Sequence, residues 1–172
     1  RLEKWTFQSA DKLNIISVGF SDYIKKITPN LTPSTYTNGV DEMFLKNDFS
    51  IKKIKPKPLI LYTGNIGDGQ GLHKIIPGAA NALKDVQFRL IGEGSARKLL
   101  IDNNLFKLQN NIEILKPMLR KELINEYQNA DILFLHLNDY KAFHKVLPSK
   151  IFEYAATGKP ILAGVSGYAA EF

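Results

Sequence analysis

The sequence predicts an α/β fold built on a doubly wound parallel sheet, and three observations support that prediction. From residue 59 onwards, short apolar runs of strand length alternate with stretches of helical periodicity. The alternation repeats at intervals of ~25 residues, as expected for βα units that build a parallel sheet. Segments containing glycine or proline follow the apolar runs, where strand-to-helix loops should lie.

The composition is that of one globular domain, with or without a small part of a second. The 172 residues are 44% hydrophobic and 10% aromatic, which is sufficient for a packed core. The chain contains no cysteine, which excludes disulfides and thiolate metal sites. No apolar run approaches the ~20 residues of a membrane-spanning helix. Because the chain begins without Met and ends at Phe172, we expect it to be a piece of a longer protein.

The charge balance favours anionic partners. The chain carries 23 basic and 17 acidic residues, a net charge of +6, and basic residues cluster at 52–57. A solvated linker is the ordinary interpretation of that cluster. Binding of the cluster to an acidic membrane surface is the alternative.

The first 58 residues predict small elements and a long connection. Residues 1–10 are weakly amphipathic, and the run at 13–18 predicts a strand. Ser21 is the expected N-cap of a helix over 22–27. Prolines then enforce a loop, and 38–41 reads as a tight turn.

The remaining residues predict five strands and the helices between them. The predicted strands are 59–62, 86–91, 112–115, 132–137 and a buried one over 161–165; the predicted helices are 72–83, 96–101, 119–127 and one entered at Pro148. Pro77 and Gly78 should kink the first of these helices. Gly158 can take the left-handed conformation that ends the last helix, and Pro160 prevents its continuation.

The loop at 64–71 is the first candidate ligand site, because ligands of such sheets bind beyond the carboxyl ends of the strands. It holds four glycines in eight residues, so its backbone N–H groups could approach a phosphate closely. The spacing differs from Gly-x-Gly-x-x-Gly, and the loop has no Walker lysine. A structural strand-to-helix turn and a phosphate cradle both fit. The lysine of the helix that begins at Pro148, expected on the same edge, favours the cradle.

That helix supplies the second candidate site. Pro148 and Ser149 are suited to a helix N-terminus, and Lys150 and Glu153 are three residues apart on one face. A helix N-terminus beside a lysine suits a phosphate, and a carboxylate one turn further suits a pair of sugar hydroxyls.

Residues 148–161, Pro-Ser-Lys-Ile-Phe-Glu-Tyr-Ala-Ala-Thr-Gly-Lys-Pro-Ile, also resemble a known family. They are similar to the donor-binding motif of retaining, nucleotide-sugar-dependent glycosyltransferases of the two-domain GT-B fold. Within the family 4-like group, the resemblance is to bacterial enzymes of capsule, O-antigen and colanic acid assembly. Ser17 and the run Asn-Gly-Val-Asp at 38–41 match the family's crossing between its domains. The implied domains are the end of an acceptor domain at 1–41, a Lys/Pro-rich connection at 42–58 and a donor-binding domain at 59–172.

The resemblance implies a role for each matched residue. Lys150 would stabilise the leaving diphosphate and Glu153 would bind the ribose hydroxyls, and these two are the expected catalytic residues. The backbone around Pro117 and Met118 would meet the nucleobase. The other expected donor-binding residues are Gly64, Asn65, Gly67, Gln70, Gly71, Pro148 and Ser149.

Two positions depart from the family pattern. Gln70 stands where a lysine commonly contacts the diphosphate, which leaves that contact to Lys150 or to Lys74. Lys145 stands where many of these enzymes carry an earlier glutamate, so no second acid is assigned.

The implied reaction is transfer of a sugar, expected to be a UDP-linked N-acetylated sugar, to a polyprenyl-diphosphate-linked glycan in cell-surface polysaccharide biosynthesis. The acceptor would bind through a missing N-terminal domain, so this chain alone should transfer nothing. The expected location is the cytoplasm, with peripheral contact at the inner membrane face. No metal or other cofactor and no nucleic acid partner are expected.

Two other function classes stay open on the sequence. A Rossmann-type dinucleotide-dependent oxidoreductase shares the fold class but lacks its glycine spacing here. A non-catalytic domain could instead bind anionic ligands through the basic cluster. The three histidines have no metal-ligand spacing; His73 and His136 should have a structural or surface role, and His144 is a candidate for contact with the sugar.

Overall fold

The computed structural model describes residues 2–50 and 56–172. The described chain divides into two compact units. The small unit contains the residues up to Gly39, Asp139–Phe152 and Val165–Phe172, and the sheet unit contains the described part of Val40–Asn138 together with Glu153–Gly164.

The small unit begins with short elements. Helix α1 covers Leu2–Gln8 and helix α2 covers Ser21–Ile27, and strands β1 (Asn14–Ile15) and β2 (Ser34–Thr35) pair in parallel. Of the strand predicted over 13–18, only Asn14–Ile15 forms a strand, and a 3-10 turn begins at Val18.

Ser21 is not an N-cap, contrary to the sequence prediction. It is the first residue of α2, and Phe20 occupies the capping position without a side-chain hydrogen bond. The 3-10 turn Val18–Phe20 leads directly into α2, and Ser17 caps that turn by accepting from the N–H of Gly19 at 3.3 Å.

The sheet unit begins with a helix inside the predicted connection. Helix α3 covers Glu42–Lys46, and Asp41 caps it by accepting from the N–H of Met43 at 3.1 Å. Phe44 is buried and lies edge-on against Tyr127. Residues 52–55 of the basic cluster lie outside the described residues.

Five parallel strands form the sheet in the order β5-β4-β3-β6-β7. Their bounds are β3 Leu59–Thr63, β4 Gln87–Ile91, β5 Ile112–Leu115, β6 Ile132–His136 and β7 Ile161–Gly164. The helices that connect them are α4 Leu72–Ala82, α5 Arg97–Asp102, α6 Asn104–Lys107, α7 Arg120–Asn129 and α8 Lys150–Ala156, and α9 Tyr168–Glu171 follows β7. The predicted α/β doubly wound parallel sheet is confirmed.

The core of the sheet unit follows from the apolar runs. All five residues of β3 are buried, as expected for a central strand covered on both faces. Helix α4 continues through Pro77 and packs on the strands through Leu72, Ile76 and Ala80. By contrast β7 is an edge strand, and Leu162 is 52% exposed, so the prediction of a buried strand there is wrong.

The strand order indicates where a ligand site is expected. β3 pairs with β4 on one side and with β6 on the other, so the direction of winding reverses at β3 and β6. In open parallel sheets, the crevice beyond the carboxyl ends of two such strands is the usual ligand site. Among the described residues, no helix combines the length and apolar character needed to cross a bilayer.

Candidate functional site at the carboxyl edge of the sheet

The glycine-rich loop follows β3 and is held by internal hydrogen bonds. Ile66 donates its N–H to the carbonyl of Glu93 at 2.7 Å, and the Gly71 N–H donates to Asp68 at 3.0 Å. The side-chain oxygen of Gln70 accepts from the Gly67 N–H at 3.2 Å. These amides are therefore engaged within the protein, which reduces the number of loop donors that an anion could meet.

The glycines are required by neighbouring protein atoms. A Cβ on Gly92, whose φ is 155°, would collide with the carbonyl oxygen of Gly64. A Cβ on Gly71, whose φ is 64°, would collide with the side chain of Asn138. Of the four loop glycines, Gly71 therefore has a structural reason of its own, and the phosphate cradle stays a prediction.

Residues at the end of β6 fix the far side of the loop. The Nδ1 atom of His136 lies 2.7 Å from the carbonyl oxygen of Gln70. The backbone N–H of Asn138 donates to Gly69 at 2.8 Å, and its side-chain amide donates to Asp68 at 2.5 Å. His136 thus has the structural kind of contact expected of it.

A carboxylate in the loop lies beside two basic side chains. Asp68 Oδ1 is 3.9 Å from the ammonium of Lys74 and 3.7 Å from Nε2 of His73. The Nδ1 atom of His73 is buried with no hydrogen-bond partner in the described part of the chain. The ammonium of Lys74, the alternative phosphate contact, therefore forms an ion pair with Asp68.

Helix α8 joins the end of β3 through a buried phenol cluster. The N–H of Thr63 donates to the hydroxyl of Tyr154 at 3.3 Å, and the Thr63 hydroxyl lies 2.5 Å from that of Tyr127. Burial raises the pKa of Tyr154 to about 12 and raises the pKa of Tyr127 further, so both phenols stay neutral. Thr63 is the last residue of β3, and the glycine-rich loop begins at the next residue, Gly64. Tyr154, which follows Glu153 in α8, therefore contacts the end of the strand that leads into the loop.

Glu153 lies in the first turn of α8 beside Arg120, which is not among the predicted site residues. The Nη1 atom of Arg120 is 3.7 Å from Glu153 Oε1 and 3.2 Å from Asp41 Oδ2. The Glu153 side chain is 17% exposed, whereas the Arg120 side chain is 58% exposed. A signal for Arg120 was present in the sequence, because an arginine in a first helical turn opposes the helix dipole.

The remaining predicted site residues lie at the start of α8 and after β5. Lys150 is the first residue of α8, and the carbonyls of Pro148 and Ser149 accept from Ile151 and Phe152 as the helix begins. Pro148, Ser149 and Lys150 belong to the small unit. Pro117 and Met118 belong to the sheet unit and follow β5, at the same edge of the sheet as the glycine loop.

The small unit has its own polar cluster. Asp139 accepts from the Ser166 hydroxyl at 2.9 Å and lies 2.5 Å from Nε2 of His144. The hydrogen bond from His144, with that from Ser166, lowers the pKa of Asp139. Ser166 and His144 both contact the carboxylate, so this cluster does not pair a hydroxyl nucleophile with a histidine base. Lys145 stands where many enzymes of the resembled family carry a glutamate. Its backbone carbonyl accepts a hydrogen bond from the Ser17 hydroxyl at 2.5 Å.

Comparison with known proteins gives a family match. Residues 44–172 match the family described as glycosyl transferases group 1. No curated protein sequence was similar enough to match.

Solved glycosyltransferases are similar in fold. HepE of Anabaena, solved with UDP and glucose, superposes with a TM-score of 0.69 at 16% identity over 94% of this chain and 46% of that one. A glycosyltransferase of Rickettsia africae gives 0.67 at 19% identity over 99% of this chain and 50% of that one. A mutant of TarM from S. aureus, solved with UDP, α-GlcNAc-glycerol and fondaparinux, gives 0.67 at 13% identity over 94% of this chain and 32% of that one. The chain thus spans half or less of the length of each, and its fold is the Rossmann-like domain of the GT-B fold.

Proposed function

This chain belongs to the glycosyl transferases group 1 family, and on that premise we propose that it is the donor-binding part of a retaining GT-B glycosyltransferase. Residues 59–172 would form the donor-binding domain, 42–58 the connection and 1–41 the end of the acceptor domain. The observation that carries the proposal is the position of Glu153, a largely shielded carboxylate next to the phenol cluster at the end of β3.

The donor we propose is a UDP-linked N-acetylated sugar. HepE with UDP and glucose, and TarM with UDP and α-GlcNAc-glycerol, are the neighbours that support a nucleotide-sugar. Glu153 would accept hydrogen bonds from the ribose hydroxyls, since a carboxylate can accept from two neighbouring hydroxyls. The nucleobase would lie against the backbone of Pro117 and Met118.

The chemistry is stabilisation of a leaving group. Breaking the bond between the anomeric carbon and the diphosphate oxygen places extra negative charge on the nucleoside diphosphate. A cation and fixed N–H groups aimed at that charge lower the barrier without reorganising water. Lys150 at the start of α8 is the proposed cation, with N–H groups of the 64–71 loop and of Pro148–Lys150 as further candidates where the residue has one. Protein donors would serve in place of a metal.

The proposed acceptor is a polyprenyl-diphosphate-linked glycan in cell-surface polysaccharide biosynthesis. Its site and the remaining catalytic groups would belong to the acceptor domain. The proposed place of action is the cytoplasmic face of the inner membrane, where such an acceptor would be exposed.

The test is an NMR titration of the chain with UDP and UDP-GlcNAc. We expect amide shifts confined to 64–71, 117–118 and 148–153. Lys150→Ala and Glu153→Ala should each weaken UDP binding about tenfold or more, the loss expected for one charge-assisted hydrogen bond. Lys98→Ala, which removes an exposed lysine of α5, is the matched control and should bind as the wild type does.

Two results would count against the proposal. The first is the absence of shifts at 64–71 and 148–153 at millimolar UDP. The second is stronger binding of NADH than of UDP, which would favour a dinucleotide-binding domain.

A further inference from the structure

We propose that Arg120 is a positioning residue that holds Glu153 in the orientation needed to bind the ribose of the nucleotide. The inference rests on the proposed function, because it assigns a partner to the carboxylate that recognises the donor. Arg120 is the first residue of α7, and Glu153 lies in the first turn of α8, so the contact joins two helix N-termini.

The burial of the three charged groups indicates how strongly Arg120 acts on Glu153. The side chain of Glu153 is 17% exposed, that of Asp41 is 36% exposed and that of Arg120 is 58% exposed. A shielded carboxylate interacts more strongly with a nearby charge than an exposed one does, because water screens it less. Arg120 therefore favours the side-chain orientation of Glu153 that faces the guanidinium.

Arg120 itself occupies no hydrogen-bond acceptor position of Glu153. At 3.7 Å, the contact between Arg120 Nη1 and Glu153 Oε1 is longer than a hydrogen bond. The contact attracts the carboxylate without itself occupying an acceptor position. Two ribose hydroxyls need those acceptor positions, so a cation at this distance can orient Glu153 and still allow it to bind sugar.

Asp41 anchors the guanidinium on its other side. Its Oδ2 lies 3.2 Å from Arg120 Nη1, and its Oδ1 accepts from the Met43 N–H at the start of α3. The two oxygens of Asp41 therefore have separate partners. Because the cap fixes the carboxylate of Asp41, the guanidinium is held at a defined place beside Glu153.

The experiment compares UDP with 2′-deoxy-UDP by calorimetry on the full chain. If Glu153 binds the ribose, the wild type should prefer UDP by about tenfold, the value of one strong hydrogen bond. Arg120→Met should reduce that preference to about two- to threefold while 2′-deoxy-UDP binds nearly as before. Glu153→Gln should reduce it as much, and the double variant should lose no more than either single variant, since the two residues act as a unit.

Conservative variants separate positioning from a structural role. Arg120→Lys keeps a charge without the fork of the guanidinium and should recover part of the preference. Asp41→Asn keeps the helix cap but loses the anchor, and it should give an intermediate preference. Lys121→Met, next in α7 and exposed, is the matched control and should leave the preference unchanged. These variants keep the inference testable if Arg120→Met does not fold.

The outcomes are distinct. If the wild type does not bind UDP, the proposed function fails and this inference fails with it. If the wild type prefers UDP and Arg120→Met prefers it equally, Arg120 does not position Glu153 and the inference alone is overturned. An equal loss of affinity for both nucleotides also overturns it, because Arg120 would then act on something other than the ribose contact.

Discussion

Lys159 carries a buried ammonium group that donates to two main-chain carbonyls. The residue is 6% exposed, and its Nζ donates to the carbonyl of Ala130 at 2.5 Å and to that of Gln128 at 3.3 Å. Both carbonyls lie at the end of α7, where orphan acceptors and the negative end of the dipole favour a cation. A lysine at this position of the 148–161 motif is thus explained by its structural role at the end of α7.

Lys159→Met should destabilise the chain by about 1–3 kcal/mol, because it leaves buried carbonyls without a donor. Urea unfolding followed by circular dichroism measures the change. Lys98→Met on the exposed side of α5 is the control, with an expected change within about 0.5 kcal/mol. Equal effects of the two substitutions would contradict the capping role.

The site residues differ in how far the sequence could predict them. Glu153 and the glycine loop could be identified as candidates, because a parallel sheet places every strand-to-helix loop at one edge. Arg120 could not be assigned a partner, since its contact depends on how the starts of α7 and α8 approach each other. The 2.5 Å contact between Asp139 and His144 likewise depends on the path of an irregular loop.

At the scale of elements, buried apolar runs were the reliable signal. The run at 59–62 gave β3 to within one residue because its side chains are buried on both faces. Helix α3 was missed because its five residues lie in a charged segment. The cap by Asp41, the ion pair between Glu42 and Lys46 and the burial of Phe44 stabilise it there. The exposure of β7 follows from its place at the sheet edge, which periodicity cannot reveal.

Substitution by alanine should have opposite effects on stability at Gly92, at the carboxyl edge of the sheet, and at Gly78, in α4. Gly92→Ala should destabilise the chain by at least about 2 kcal/mol, because the φ of 155° is strained for alanine and the added Cβ meets the Gly64 carbonyl. Gly78→Ala should stabilise it by about 0.5–1 kcal/mol, because Gly78 lies inside α4 with nothing near its Cβ position. Thermal unfolding of both variants tests the pair. Equal melting temperatures would contradict the close approach of the two loops.

The whole molecule is basic, and its charge bears on the proposed membrane contact. The net charge is +6, with lysines concentrated at 52–57. Basic residues near an anionic bilayer contribute about 1 kcal/mol each, and the attraction weakens with salt.

We therefore expect the chain to sediment with vesicles that contain anionic lipid and to remain in solution with neutral ones. Replacing Lys52, Lys53 and Lys55 by alanine should abolish most of the binding, and so should raising the salt concentration well above physiological levels. Replacing Lys98, Lys107 and Lys121, which lie elsewhere on the chain, is the charge-matched control. Binding that is insensitive to salt would rule out this electrostatic interaction.

One short segment contacts both ends of α7. Glu153 contacts its first residue, Tyr154 lies edge-on against Tyr127 in its last turn, and Lys159 caps its C-terminal end. The number of residues between Glu153 and Lys159 is therefore matched to the length of a neighbouring helix. Exchanging an outward side chain such as Ala155 preserves that match, whereas adding or deleting one residue breaks a contact at one end. We expect related sequences to vary in this stretch by replacement and to keep its length.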